Sequence, residues 1–218
     1  TRPQGSQDET FNYDSVGNRL QRDGGTEDAV LDDANRLLED SLFTYTYDFN
    51  GNLTSKTDKL TNEVTTYVYD AENQLVRIHL PYGPIMEYRY DGLGRRIEKE
   101  LSPTPDLPLI TRYLYDGEDI LFEFDYANQP TSRYTHGPGI DEPLIMQRDL
   151  NQNQTFEHTE SFFYHSDGLG SITELTDSTG QIIQSYLYDS FGNPTIYDST
   201  GSVIPEDSIG NPYLFTSR

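Results

Sequence analysis

The residue types of a nucleophilic triad stand side by side at His165-Ser166-Asp167. A serine nucleophile needs a histidine base and a carboxylate in one hydrogen-bonded line. The tripeptide follows a short aromatic run typical of a β-strand, in which adjacent side chains point to opposite faces. The three side chains therefore cannot form a relay, and we interpret the tripeptide as the entry to a turn.

Carboxylates recur along the chain and would be candidates for the paired acids of glycoside hydrolysis. They are found at Asp14, Asp48, Asp70, Asp91, Asp116 and Asp189. Each one follows a tyrosine and precedes a glycine or asparagine by one to three positions. An aspartate at the start of a turn accepts hydrogen bonds from turn amides, and this role explains every copy at once. We therefore predict no catalytic residue among them.

The sequence also lacks the ligand spacing of a metal or phosphate site. His79, His136 and His158 share no His-x-x-x-His spacing. An acidic cluster lacks the Asp-x-Asp-x-Asp-Gly order of a calcium loop, so we interpret it as a solvated surface, with a loose calcium site as the alternative. Its members are Glu27, Asp28, Asp32, Asp33, Glu39 and Asp40. Because no helical pattern follows Gly92-Leu-Gly94 or Gly168-Leu-Gly170, both are predicted hairpin turns. No catalytic, cofactor-binding or metal-binding residue is predicted.

A repeated pattern with a spacing of roughly 20 residues positions these side chains. Residues 67–78 give its plainest copy: an alternating aromatic run, Tyr-Asp, a tight turn and a second alternating run. Clear copies occupy 11–20, 45–53, 88–97 and 185–194, and looser ones 31–38, 113–120 and 164–172. The Tyr-x-Tyr runs place both rings on one face of a strand, which a single hairpin cannot bury. Neighbouring hairpins must therefore join into a continuous sheet.

The turn of each copy has a residue that tolerates a left-handed backbone. The slot is filled by Gly17, Asn35, Gly51, Asn73, Gly94, Gly170 and Gly192. Glycine and asparagine enter this conformation at low cost, and a type I turn followed by such a residue closes a short hairpin. The sequence therefore predicts positive φ angles at these positions.

Composition narrows the class of protein further. The hydrophobic fraction is only 33%, while the chain has 17 tyrosines and 10 phenylalanines, so the core must depend on aromatic rings packed along sheets. The net charge of −22 argues against nucleic acid and anionic membranes as partners. Since there is no cysteine, disulfides and thiolate metal sites are excluded. No apolar run reaches the roughly 18 residues that a membrane span requires.

Several individual elements can be predicted along the chain. Residues 26–40 are expected to form a degenerate hairpin, and the three prolines of 102–108 a protruding loop. Strand pairs are expected within 111–126, between 144–149 and 160–164, and between 171–176 and 181–188. A turn-rich insertion at 198–207 and a last short strand at Tyr213–Phe215 complete the expected order.

The motifs together resemble the YD repeats of the RHS family, which includes bacterial polymorphic toxins, insecticidal toxin-complex shells and animal teneurins. The most specific likeness is to the RHS-associated core, in the ordered segments 133–144, 163–177, 186–194 and 211–218. Ser217 stands where that family usually has glycine. The resemblance implies an all-β fold, a continuous antiparallel sheet of YD-repeat hairpins that forms a curled strip of an RHS-type β-cocoon. It divides the chain into a polar segment 1–10, a hairpin array 11–126 and a core-like segment 127–218.

The resemblance implies a non-enzymatic structural role in a secreted or cell-surface protein, as a shell segment that encapsulates or self-assembles. Expected partners are the remainder of an RHS shell or further copies of the chain, with a toxin cargo or a surface glycan as further candidates. The alternative is a carbohydrate- or receptor-binding adhesion module; an enzyme hidden in the insertions is a weaker alternative. The family's self-cleavage motif and toxin domain are not recognisable up to Arg218, so autoproteolysis is not carried over.

Two further expectations concern modification and assembly. The sequons Asn52-Leu-Thr and Asn153-Gln-Thr are candidate glycosylation sites, and Asn153 is favoured because it lies on a predicted exposed tip. The terminal strands are expected to expose Phe11 and Tyr13 at one edge and Tyr213 and Phe215 at the other. Bare edges of this kind favour a longer polypeptide or a repeating polymer over a free monomer.

Overall fold

Antiparallel strands dominate the protein. The computed structural model describes residues 9–22, 29–102, 108–139 and 142–217, which form two compact units, Thr1–Ile110 and Thr111–Arg218. Strands make up 50% of the residues and helices 3%, so the predicted all-β class is confirmed. The division of the sequence patterns at residues 126 and 127 stays a proposal.

The first unit is a run of hairpins in chain order. β1 pairs with β2 in a two-stranded sheet, and each strand from β3 to β10 pairs antiparallel with its sequence neighbour. The strands are β1 (Phe11–Tyr13), β2 (Arg19–Arg22), β3 (Val30–Leu31), β4 (Leu37–Glu39), β5 (Phe43–Tyr47), β6 (Leu53–Asp58), β7 (Val64–Tyr69), β8 (Leu75–His79), β9 (Ile85–Tyr90) and β10 (Arg96–Ser102).

The second unit follows the same rule of pairing. Its strands are β11 (Leu109–Asp116), β12 (Asp119–Phe124), β13 (Pro130–His136), β14 (Pro143–Arg148), β15 (Ser161–Ser166), β16 (Ile172–Thr176), β17 (Ile182–Tyr188), β18 (Pro194–Asp198) and β19 (Val203–Ile204). Short 3₁₀ turns occur at His158–Glu160 and Phe215–Ser217. β3 to β19 are strands of one long antiparallel sheet that is not closed.

Turn chemistry sets the register of these hairpins. All seven predicted slots have positive φ, from 59° at Asn35 to 91° at Gly17. At several of them the ladder shifts by one residue beside the turn, for example between Thr46 and Tyr47 and between Val68 and Tyr69. A type I turn that ends in a left-handed residue produces this bulge. The hairpin interpretation of the repeat is therefore confirmed.

The predicted strand pairs are also found. β11 pairs with β12, β14 with β15, and β16 with β17. The degenerate hairpin is confirmed as β3 and β4, with Asn35 in its turn, although residues 26–28 lie outside the described part. The proline loop falls mostly on residues 103–107, which also lie outside it.

The predicted last strand at Tyr213–Phe215 is wrong. This segment ends in a 3₁₀ turn, and the last strand along the chain is β19, inside the predicted turn-rich insertion. Thr216 and Ser217 have φ angles of 52° and 59°, which an extended strand does not allow. Pro212 lacks the amide that a ladder needs. Tyr213 and Phe215 consequently do not form an exposed edge.

Burial differs sharply between the two units. Among the described residues, the seven buried hydrophobic ones all belong to the second unit: Tyr134, Met146, Phe162, Tyr164, Ile172, Leu175 and Tyr186. In the described part of the first unit, only Glu98 is buried, at 9% exposure. Tyrosines such as Tyr45 and Tyr67 in the first unit are half-buried, whereas Tyr13 and Tyr82 are exposed. The second unit thus holds a closed core, whereas the sheet of the first unit is only partly covered.

Replacing Gly94 by valine is expected to lower the free energy of unfolding by roughly 1–2 kcal/mol, because a β-branched residue is strained at positive φ. Gly94 has φ +82°, and an added Cβ would lie 3.1 Å from Nε2 of Gln74. Gly92, in the same turn, has open space around it and serves as the matched control. Urea unfolding of both variants is the measurement; equal losses would contradict the proposed strain.

Candidate functional site

The repeated aspartates hold the turns together. Oδ1 of Asp48 accepts the amides of Asn50 and Asn52 at 2.9 and 2.8 Å, and Oδ2 accepts Nδ2 of Asn52 at 2.9 Å. Asp14, Asp70, Asp91 and Asp189 bind the amides two and four residues ahead in the same way. These carboxylates are engaged by their own backbone, as the turn interpretation expects.

The structure repeats this turn where the tyrosine pattern is weak. Asp125, Asp177 and Asp198 also bind the amides two and four residues ahead. The signal common to them is an aspartate followed three residues later by asparagine or glycine. Asp116 is the exception among the predicted copies, because it pairs with Asp119 across a tight turn in which Gly117 has φ 60°.

The residues of the triad pattern have separate contacts. His165 Nε2 lies 3.0 Å from Oγ1 of Thr176, while Asp167 accepts the amides of Leu169 and Ser171. The acidic cluster is divided in the same way: Asp32 pairs with Arg36, Glu39 with Lys59, and Asp40 accepts the Tyr45 hydroxyl. Glu27 and Asp28 lie outside the described residues. Within the described ranges, no three His, Asp or Glu side chains are grouped as metal ligands.

A hydroxyl contact missed by the sequence reasoning joins successive hairpins. The second tyrosine of a Tyr-x-Tyr-Asp run donates to the carbonyl of the first residue of the preceding strand. The pairs are Tyr47 with Leu37 at 2.8 Å, Tyr90 with Leu75 at 2.8 Å and Tyr188 with Ile172 at 2.6 Å. In these three copies the Tyr-Asp pair therefore has two roles: the aspartate closes its own turn, and the tyrosine hydroxyl binds the preceding strand.

In the second unit, residues 205–217 form a covering segment over the tyrosine-rich face. Asn211 is at its centre and is only 6% exposed. Its Oδ1 accepts the Tyr164 hydroxyl at 3.0 Å, and its Nδ2 donates to the Tyr186 hydroxyl at 3.2 Å and to the Tyr213 carbonyl at 2.7 Å. On either side of it, Arg148 donates to the carbonyls of Ile209 and Gly210, both at 2.7 Å, and the Ile172 amide donates to the Leu214 carbonyl at 2.9 Å.

Aromatic rings of the covering segment complete the core. Tyr213 meets Tyr134 and Tyr164 edge to face, with centroids 5.5 and 6.0 Å apart. Phe215 packs on Tyr188 at 5.5 Å. Burial raises the pKa of Tyr134, Tyr164 and Tyr186 well above the usual range of a phenol. These hydroxyls therefore stay protonated; that of Tyr164 donates to Asn211 and that of Tyr186 accepts from it, so both have structural roles.

A cavity of about 200 Å³ opens beside this segment. It is lined by Tyr115, Glu118, Asp119, His136, Tyr213 and Ser217. The His136 side chain is 5% exposed; its Nε2 lies 2.9 Å from the Ile120 carbonyl, and its Nδ1 has no hydrogen-bond partner. The nearest carboxylate oxygen to that Nδ1, Oδ1 of Asp119, is 3.8 Å away.

The two sequons differ in the state of the acceptor amide. Nδ2 of Asn52 donates to both Asp48 and Asn73, at 2.9 and 2.8 Å, and the residue is half-buried. Asn153 is exposed, and its Nδ2 donates to Glu157 at 2.9 Å. Glycosylation of Asn153 stays a prediction.

Acidification is expected to destabilise the turns. The pKa of Asp48 lies below its ordinary value of 3.8, chiefly because the Asn52 side chain donates a hydrogen bond to it. The pKa of Asp91 is lowered in the same way, chiefly by the Arg95 side chain. Because the folded pKa is the lower one, the unfolded chain binds more protons, so stability is lost as the pH falls through this range. We expect the urea midpoint to fall between about pH 5 and pH 2.

The Asp48→Asn variant is the control for this titration, because its amide oxygen can still accept the backbone amides of Asn50 and Asn52 but carries no charge. Its unfolding midpoint should fall less on acidification than that of the original chain. The comparison also separates the turn effect from the general loss of repulsion as the charge of −22 is neutralised. Identical pH profiles for the two proteins would contradict the assignment.

Comparison with known proteins places the repeat in a family. The family model described as teneurin YD-shell matches residues 1–204. The tRNA nuclease WapA of Bacillus subtilis is 32% identical over 204 residues, covering 88% of this chain and 8% of that protein. The double-stranded DNA deaminase toxin A of Burkholderia cenocepacia is 25% identical, covering 84% of this chain and 14% of that protein. The chain thus spans only a small part of these relatives.

Solved structures of toxin complexes are also similar. The Tc holotoxin pore of Photorhabdus luminescens aligns with a TM-score of 0.45 at 15% identity, covering 85% of this chain and 13% of that one. A TcdB2-TccC3-Cdc42 crystal structure aligns with a TM-score of 0.49 at 16% identity, covering 88% and 12%. None of the helices in the described ranges is long and apolar enough to cross a membrane. The family match and the Tyr-Asp hairpins lead to one conclusion: the chain belongs to the teneurin YD-shell family.

Proposed function

We propose that the chain is a non-enzymatic wall segment of a YD-repeat shell in a secreted or cell-surface protein. The observation that supports it is the partly covered sheet of the first unit. The rings of Tyr45, Tyr47, Tyr67 and Tyr69 lie on one face and are half-buried, while Thr46 and Val68 between them are exposed. Aromatic rings contribute most to a core when they are fully removed from water. This face therefore gains its remaining burial from another polypeptide.

The proposed partners follow from this face. Further strands of the same shell, or further copies of the chain, would extend the sheet, and a cargo polypeptide would lie against the tyrosine side. The names of the relatives, a tRNA nuclease and a DNA deaminase toxin, suggest a toxin as that cargo. The charge of −22 does not favour nucleic acid as a partner.

The non-enzymatic part of the proposal rests on how the polar groups are used. The turn aspartates are occupied by their own amides, and His165 and Asp167 bind different partners. Assays of the purified chain on tRNA and on double-stranded DNA should give no turnover. The non-enzymatic proposal would be refuted by a turnover that is lost in Asp167→Asn while the circular dichroism spectrum shows an unchanged fold.

Sedimentation tests the wall proposal. Salt shortens the range of charge repulsion to about 8 Å at 0.15 M, so the isolated chain should associate as salt is added. Because association would cover the tyrosine face, chemical acetylation of the tyrosines in the first unit should decrease. Tyr134, Tyr164 and Tyr186 of the second unit are the internal control because they are already buried. A monomer at every salt concentration, with unchanged labelling, would contradict the proposal. A positive glycan array would instead favour the adhesion alternative.

A further inference from the structure

Two hydrogen-bond acceptors face each other in the cavity beside His136, and no donor among the described residues lies between them. Nε2 of His136 lies 2.9 Å from the Ile120 carbonyl, which can only accept, so Nε2 carries the proton. In the neutral ring, Nδ1 then carries a lone pair and is a hydrogen-bond acceptor. It is buried without a hydrogen-bond partner, 3.8 Å from Oδ1 of Asp119. Two facing acceptors repel each other unless a donor lies between them.

The other residues that line the cavity indicate which kind of donor would fit. Among the lining residues, Glu118 and Asp119 supply negative charge, and Tyr115 and Tyr213 are aromatic. Tyr213 lies edge to face with the His136 ring at 5.6 Å. A cation with N–H groups satisfies all of these neighbours, since it donates to Nδ1 and to the carboxylate and is attracted to aromatic rings.

Size and geometry select the class of cation. One nitrogen can donate to both acceptors, because hydrogen bonds of about 2.9 Å each span their separation with a small adjustment. The cavity of about 200 Å³ accommodates a short alkyl chain behind that nitrogen. We propose that this cavity binds a primary alkylammonium group, held between Nδ1 of His136 and the carboxylate of Asp119.

The charge of the chain indicates where such a group comes from. With 37 acidic residues, 15 basic ones and a net charge of −22, the protein attracts cationic molecules from its surroundings. A free alkylamine and a lysine side chain of another polypeptide present the same head group. The experiment therefore includes both sources.

The test follows the ring nitrogens of His136 by ¹⁵N NMR at pH 8, with n-butylammonium as the probe. Binding should shift the Nδ1 resonance, and tetramethylammonium, which has the same charge but no N–H, should leave it unchanged. Acetyl-Gly-Lys-Gly-amide tests the second source: a shift equal to or larger than that from butylammonium identifies a lysine side chain, and a smaller one identifies a free amine.

Variants localise the effect. Asp119→Asn should weaken butylammonium binding by roughly tenfold or more, because the amide oxygen can still accept a hydrogen bond but the negative charge that strengthens it is lost. Asp116→Asn, in the same turn but outside the cavity lining, is the matched control and should bind as the original chain does. No shift with butylammonium, an equal shift with tetramethylammonium, or equal binding by Asp119→Asn would overturn the proposal. So would protons on both ring nitrogens at pH 8, since a proton would then occupy the gap.

Discussion

Replacing Asn211 by alanine is expected to lower the free energy of unfolding by about 3 kcal/mol, the largest effect of any single polar substitution considered in this chain. The Asn211 side chain is a shared partner of the Tyr164 and Tyr186 hydroxyls and of both backbone groups of Tyr213. Alanine would leave several of these groups buried without partners. Each unsatisfied group costs about 1–3 kcal/mol, and relaxation of the covering segment recovers part of that.

Urea unfolding of Asn211→Ala measures this effect, with Asn153→Ala in an exposed loop as the control. A double-mutant cycle separates the shared hydrogen bond from general loss of packing. Tyr164→Phe should cost less in the Asn211→Ala background than in the original chain, because its hydroxyl has already lost Asn211. A loss below about 1 kcal/mol for Asn211→Ala, within the range of a surface substitution, would show that the covering segment is not held through this residue.

Replacing Gly192 by alanine should have the second largest effect, a loss of about 2–3 kcal/mol from backbone strain and overpacking together. Gly192 has φ +81°, and an added Cβ would lie 2.7 Å from the ring of Phe215. Because Phe215 in turn packs on Tyr188, the substitution would push the covering segment away from the sheet.

Gly170→Ala is the matched control for this substitution. Gly170 has a similar φ of +85°, but nothing lies within 4 Å of an added Cβ. The difference between the two variants therefore isolates the contact with Phe215. Equal losses in urea unfolding would mean that only the backbone matters, and that the position of Phe215 does not contribute to stability.

The repeat unit was the part of the fold that local residues could predict. The glycine and asparagine slots have the expected positive φ, and the aspartates before them bind their turn amides. Both features depend on interactions within about five residues, so the sequence carries them directly. Even the degenerate hairpin at 26–40 was recognisable, because Asn35 kept the turn slot when leucine replaced tyrosine.

The C-terminal segment shows where local reasoning failed. Alternation of Tyr213 and Phe215 indicated a strand, yet these rings pack on Tyr134 and Tyr188 in the core of the second unit. Ser217, at the position where the resembled family usually has glycine, lies at φ 59° and donates to the Gly170 carbonyl. A glycine at this position would have indicated a left-handed backbone, but serine does not, so no local sign of it is present in the sequence.

By itself, therefore, the sequence determined the hairpin, its turn, the alternation of its aromatic face and the order of pairing, because each of these follows from short-range sterics and hydrogen bonds. Tertiary structure alone decided which tyrosine face is covered, and by what. Asn211 bridges Tyr164 and Tyr186, which are 47 and 25 residues away along the chain. His136 meets Tyr213 across the same core. Contacts over such separations depend on the packing of the whole second unit, and no local pattern of residue types encodes them.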